Sequence, residues 1–198
     1  MNLIVRLAGF AFAIGLSCTV GISPASAAVI LFGTELGPEA VGATGSGSVL
    51  VEYDDVAHTL RISADWTGLS GLTTVAHIHC CTAVPGAGTI GVAVTPGTLP
   101  GFPAGVSSGS YTSPLIDLED PASFTAGFMT NFGGGTTSGS TAALLAGIDA
   151  GKAYFNVHSN TFAGGEIRGF LREVPEPASV ALLGLGLTGL CLARRRRA

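Results

Sequence analysis

Thr74-Val75-Ala76-His77-Ile78-His79-Cys80-Cys81-Thr82 is the stretch from which the fold of this chain is read. Apolar residues alternate with histidines there, the period of two that belongs to a β-strand, whose successive side chains project to opposite faces. His77, His79 and Cys81 then share one face, and Ala76, Ile78 and Cys80 the other. The apolar set seeks the core, so the histidines are expected on the face away from it or in a groove over it. Two imidazoles at i and i+2 sit about 7 Å apart at the backbone and can converge on one ion at about 2.0–2.1 Å. Two donors are too few for a site, so any further ligand must come from elsewhere in the chain.

Upstream the same alternation recurs. Residues 29–32, 47–53 and 59–66 read as short strands separated by Gly-, Pro- and Asp-rich turns, with Asp54-Asp55 as a hairpin turn. In the third of these, Leu60, Ile62 and Ala64 alternate with Arg61, Ser63 and Asp65, a half-buried antiparallel strand ending on Trp66 as a core anchor. Downstream, residues 85–109 are rich in Gly and Pro and read as a long ordered loop with at most one short strand. Residues 110–118 are a further strand candidate. Asp120-Pro121 is an N-cap followed by proline at the first helical position, predicting a short helix over 121–131, and 141–148 reads as a second. The triple glycine 133–135 lacks a following Gly-Lys-Ser/Thr and is not a phosphate loop.

The last pair of strands is predicted over 153–158 and 166–172, joined by a turn. Phe155, Val157, Ile167 and Leu171 fall on core-facing parity. Tyr154, Asn156, His158, Glu166 and Arg168 share the opposite face, and His158 is expected near Glu166 or Arg168. The whole is expected to be all-β, a single antiparallel β-sandwich with one or two short helices. Thirty glycines and only 11% charged residues fit short strands and tight turns better than long amphipathic helices.

Both ends differ from this body. Residues 1–27 carry Arg6, an apolar run from Leu7 and a small-residue Ala25-Ser26-Ala27 site, the pattern of a secretory signal peptide whose helix takes Cys18 with it. Residues 174–198 form a second module: Val174-Pro175-Glu176-Pro177, an apolar helical segment of about 14–16 residues, and Arg194, Arg195, Arg196 and Arg197. Such a basic end stays on the cytoplasmic side of a membrane. Residues 28–173 are left as one domain. Within it twelve acids face Arg61, Lys152, Arg168 and Arg172, an acidic balance that argues against nucleic-acid binding.

The order Val-Pro-Glu-Pro, apolar run, arginine run resembles a PEP-CTERM sorting signal. The resemblance implies export across the inner membrane, membrane retention by the tail, and cleavage by an exosortase that leaves the protein extracellular. In the body, Ala76-His77-Ile78-His79 with the Gly-rich loop after it, and Ala153-Tyr154-Phe155-Asn156-Val157-His158 followed by Phe162-Ala163-Gly164-Gly165-Glu166-Ile167-Arg168-Gly169, resemble the paired signature of the CHRD (chordin-type) domain. That likeness implies a β-sandwich without an established catalytic role. Cys80-Cys81 departs from it, standing where many relatives have glycine. The His-Ile-His triplet is also similar to the metal-binding strand of copper-zinc superoxide dismutases, whose further histidines and bridging aspartate have no recognisable counterpart here.

Three chemistries compete at the signature. His77, His79 and His158, with Cys81 as a soft fourth donor, would suit copper or zinc. Alternatively the histidines hydrogen-bond to backbone and to Glu166 and simply hold the polar face together. Cys80 and Cys81, the two cysteines of the body, are open to a vicinal disulfide, to metal thiolates, or to free or intermolecular thiols. Neighbouring α-carbons about 3.8 Å apart strain a disulfide, and a bonded Cys81 could not serve as a thiolate ligand. Glu166 and Arg168 read as an ion pair more readily than as a general acid and an anion clamp, and no Gly-x-Ser-x-Gly frame is present. The expectation is therefore an exported, non-enzymatic binding or structural protein of the envelope, with exopolysaccharide or another envelope protein as partner. A copper or zinc protein is the alternative.

Overall fold

Strand β1 (Val29–Pro38) starts between two neighbours and ends beside a third. Val29 to Leu36 pair antiparallel with β2 (Ser46–Asp54), while Gly37 and Pro38 cross to β9 (Ile167–Phe170). This computed structural model describes residues 29–175. The expected signal peptide 1–27, the apolar tail segment, and Glu176, Pro177 and Arg194 to Arg197 lie outside the described residues.

The remaining strands are β3 (Thr59–Thr67), β4 (Thr73–His79), β5 (Val92–Val94), β6 (Gly109–Thr112), β7 (Ile116–Asp117), β8 (Tyr154–Ser159) and β10 (Arg172–Glu173). They join in the order β5-β4-β8-β9-β1-β2-β3-β6, with β10 beside β1 and β7 beside β3. All pairings are antiparallel. The all-β antiparallel class is as the alternation implied, and the pairing runs unbroken through β1. A glycine makes one of these junctions fit: a Cβ at Gly169 of β9 would run into the Glu35 carbonyl and the Thr34 side chain of β1.

The β2–β3 hairpin turns on Asp54, whose Oδ1 accepts the Val56 and Ala57 N–H groups at 2.9 and 2.8 Å, an Asx-type turn. Leu60, Ile62, Val51, Phe155, Val157 and Ile167 are wholly buried and form the centre of the core. Each such side chain contributes about 1.5–3 kcal/mol by leaving water. Trp66 is an anchor as expected, 2% exposed and stacked on Phe102 at 5.2 Å.

Several boundaries differ from the sequence expectation for identifiable reasons. The strand predicted over 110–118 divides into β6 and β7 because Pro114 offers no N–H to the ladder, and Ser113 closes the gap by exchanging hydrogen bonds with Ile62. The helix predicted over 121–131 is a 3₁₀ turn, Pro121–Ser123, followed by α1 (Ala126–Asn131). The break falls at Thr125, whose hydroxyl caps Phe128. Helix α2 (Thr137–Asp149) starts earlier than 141 because Thr136 accepts the Gly139 N–H at 3.1 Å. Among the described residues no helix is long and apolar enough to cross a membrane.

Candidate metal centre

β4 and β8 run side by side with His77 opposite Asn156 and His79 opposite Tyr154. Cross-strand partners share a face, and His158 follows Asn156 by two positions, so strand geometry alone delivers three imidazoles to one patch. Ring centroids stand 5.1 Å apart for His77 and His158, 5.6 Å for His77 and His79, and 6.1 Å for His79 and His158.

This face is not a solvent face, which corrects the first expectation for the histidines. His77, His79 and His158 are only 6, 7 and 9% exposed, and Tyr154, Asn156 and Glu166 are buried as well. Chain from either side of β5 and the turn before β9 fold over it. The histidines hold that cover in place. His77 Nε2 donates to the Gly97 carbonyl at 2.9 Å, His79 Nδ1 to Ile90 at 2.7 Å, and His158 Nδ1 to Ala163 at 2.8 Å.

Those three bonds fix the tautomers. A carbonyl oxygen only accepts, so the ring nitrogen facing it carries the proton, and the other nitrogen of a neutral imidazole is a bare lone pair. The bare atoms are His77 Nδ1, His79 Nε2 and His158 Nε2. His77 Nδ1 and His158 Nε2 face each other at 3.3 Å, and His79 Nε2 is buried with no hydrogen-bond partner. One ligand atom from each ring lies within 4.8 Å of the other two.

Protons are disfavoured at this place. Burial, opposed by the Ile90 carbonyl and reinforced by the other two rings, pushes His79 down to about 4. His77 is lowered for the same first reason, burial, with His158 adding to it. Neutral imidazole is the form that binds a metal ion.

Around the trio stands a supporting layer. Tyr154 stacks flat on His79 at 4.7 Å, and Arg168 lies over the Tyr154 ring at 5.2 Å. Arg168 Nη1 pairs with Glu39 Oε1 at 3.2 Å and also donates to the Gly88 carbonyl, tying the loop after β4 to β9. Glu39 Oε2 in turn accepts the Asn156 amide at 3.2 Å. Gly165, at φ +126°, leaves room for that carboxylate, which a Cβ there would displace. Glu39 was not found by sequence reasoning; its signal was indirect, the need of a half-buried Arg168 for a counter-charge.

Glu166, Arg168 and Cys81 part company from the histidines. The Glu166 carboxylate turns to the backbone N–H groups of Ser70 and Gly71, so it neither bonds an imidazole nor pairs with Arg168. Burial pushes its pKa up, but hydrogen bonds from Ser159, Ser70 and Gly71 prevail and hold it below the usual carboxyl range. β4 ends at His79, so its alternation does not reach Cys81. The sulfurs of Cys80 and Cys81 are joined to each other, and Cys81 Sγ lies 3.6 Å from the Ala143 carbonyl of α2. Gly147 of α2 makes space for both sulfurs, since a Cβ there would strike them. The structure thus brings together His77, His79 and His158, and leaves Cys81 outside.

What fold and site define is an all-β antiparallel domain whose polar sheet face is closed over three histidines. The chain belongs to the CHRD domain family, which it matches over residues 27–171. Residues 173–197 match the PEP-CTERM protein-sorting motif. That motif implies export to the cell surface or beyond and processing by an exosortase at the C-terminus. No curated protein and no solved structure matches the chain.

Proposed function

We propose that this exported CHRD domain is a metal-binding module of the cell surface, with His77, His79 and His158 holding one zinc or copper ion. The observation that carries the reading is the gathering of three buried imidazoles, one ring nitrogen of each within 4.8 Å of the others, with each ring pinned by a backbone carbonyl. Without a cation, His77 Nδ1 and His158 Nε2 oppose lone pair to lone pair at 3.3 Å. Such a carbonyl behind each ligand is the usual way a protein orients a metal-bound imidazole. Three imidazoles suit zinc or copper better than calcium or magnesium, which take oxygen.

Binding suits this geometry better than catalysis on a large substrate. An open groove of about 560 Å³ among the described residues is lined by Thr95, Pro96, Asp117 and Ser123 among others, and none of the three histidines lines it. The tail from Val174 tethers the protein to the membrane until the exosortase acts, and the vicinal disulfide braces the chain where it leaves β4 against α2.

The test is metal analysis and calorimetric titration of the full chain after export, beside a His77→Ala/His79→Ala variant. The expected result is one ion per chain in the parent and none in the variant. A parent that takes up neither zinc nor copper would remove this reading and leave an exported scaffold for exopolysaccharide or another envelope protein.

A further inference from the structure

Among the described residues, two buried polar atoms on the covered sheet face have no hydrogen-bond partner: His79 Nε2 and Asn156 Oδ1. Asn156 is fully buried, and an unsatisfied amide oxygen in such a place is destabilising unless something occupies it. It stands opposite His77 across β4 and β8 and two residues before His158 on the same face. It also lies beside the His79 ring. Each of the three histidines is therefore a neighbour of this one amide.

The amide's orientation is set from behind. Its nitrogen donates to Glu39 Oε2 at 3.2 Å, and Glu39 is itself held by Arg168. A carboxylate accepts only, so the NH₂ end must face it and the oxygen must face the other way. His79 cannot satisfy that oxygen while its Nδ1 donates to Ile90, because its Nε2 then carries no proton. Two acceptors left facing one place call for a cation between them.

We propose that Asn156 Oδ1 is the fourth ligand of the centre, making a closed site of three imidazole nitrogens and one amide oxygen, with Glu39 and Arg168 as its positioning residues. The inference rests on the three-histidine reading and adds the donor that fills a tetrahedral set. Four protein donors are the arrangement of a structural or storage site, whereas catalytic zinc keeps one position open for water. A neutral amide oxygen also adds no thiolate softness, which favours zinc and copper(II) over copper(I).

The full chain is titrated with Zn²⁺ as wild type, Asn156→Ala and Asn156→Asp, and the wild type is also prepared with asparagine labelled at the side-chain carbonyl carbon. The chain has four asparagines, Asn2, Asn131, Asn156 and Asn160, so the Asn156 signal is assigned by its loss in Asn156→Asp. Expected are a Zn²⁺-dependent shift of that carbonyl alone, an affinity lower by about 10–100-fold in Asn156→Ala, and retained binding in Asn156→Asp, which keeps an oxygen in place. If Asn156→Ala does not fold, the carbonyl signal of the wild type decides. Zinc binding by the wild type with no carbonyl shift overturns the inference, whatever the variants do, since Asn156 would then be at most a positioning residue. Failure of the wild type to bind zinc or copper at all is the different result that removes the three-histidine reading itself.

Discussion

β3 and β8 have the same binary pattern and different surroundings. Leu60, Ile62, Ala64 and Trp66 of β3 point to the core while Arg61 and Asp65 are exposed between them. In β8, Phe155 and Val157 alternate with Tyr154, Asn156 and His158, yet all six residues are buried. The outer face of β3 meets water, and that of β8 lies beneath chain drawn over it by hydrogen bonds to His77, His79 and His158. Polar residues on β3 stay hydrated and contribute little. Those on β8 have left water, so every donor and acceptor among them must find a partner or be costly. On this face two atoms among the described residues find none, Asn156 Oδ1 of β8 and His79 Nε2 of the neighbouring β4.

The sharpest way to break this comparison is acid. In the metal-free protein His79 is held at about 4 against an ordinary value near 6.5, chiefly by burial. The unfolded chain therefore takes up the proton first, and stability that is full above pH 6.5 is lost as pH falls from 6.5 toward 4. At about 1.4 kcal/mol per unit, this one ring accounts for at most about 3–4 kcal/mol, with His77 shifted in the same direction. Urea unfolding at pH 7.5, 6, 5 and 4 should show the decline, and His79→Gln should flatten it. An unchanged decline in His79→Gln would mean that the covered face is not what makes the protein acid-sensitive.

Metal should work in the opposite sense. An ion that binds only the folded chain, supplied at a hundred times its dissociation constant, stabilises it by about 2.7 kcal/mol, or roughly 5–10 °C in melting temperature for a domain of this size. Calorimetric melts with and without Zn²⁺ at pH 7.5 measure this. The gain should vanish in His77→Ala/His79→Ala and persist in Arg61→Ala, a change on the hydrated β3 face.

Glu166→Gln probes the covered region away from the ion. The carboxylate accepts two backbone N–H groups, from Ser70 and Gly71, and an amide turned either way offers only one oxygen. A loss of about 1–3 kcal/mol at pH 7 is expected. Because the native pKa of Glu166 lies below the ordinary carboxyl value, its share of stability is present above pH 4.5 and lost as pH falls below it. The gap between wild type and Glu166→Gln should therefore narrow below pH 4.5, a lower window than that of His79, with zinc affinity unaffected.

Period-two alternation was enough to read most of the strands, the antiparallel class, the shared face of His77 and His79 and the outward parity of His158, because strand parity is a local property, whereas the pairing of β4 with β8 that joins the three is not. Which side of a polar face ends up dry is not local. It depends on where residues 80–98 and 160–166 travel, and Ile90, Gly97 and Ala163 enter the site only through their carbonyls, which every residue type possesses. Glu39 lies well over a hundred positions from Arg168 and was likewise out of reach of any local pattern. Parity also misled at Cys81, since it assumes that the strand continues and β4 stops at His79.

The smallest effect completes the contrast. Arg61 of β3 and Arg168 of β9 are both arginines beside an acid, Glu52 across the strand for the first and Glu39 for the second. Arg61 is exposed, so the attraction between its charge and that of Glu52 is screened by water, and Arg61→Ala should change unfolding free energy by no more than about 0.5 kcal/mol. Arg168 is partly covered, packs on Tyr154 and Phe170, and faces a Glu39 carboxylate that is only 8% exposed. Arg168→Ala leaves that carboxylate with Asn156 as its remaining side-chain partner and strips the cover from Tyr154, so a loss of about 1–3 kcal/mol is expected, with weaker zinc binding as Asn156 loosens. Equal losses for the two substitutions in matched urea titrations would mean that burial does not separate the two faces, and that the polar groups beneath the cover are as well hydrated as those of β3.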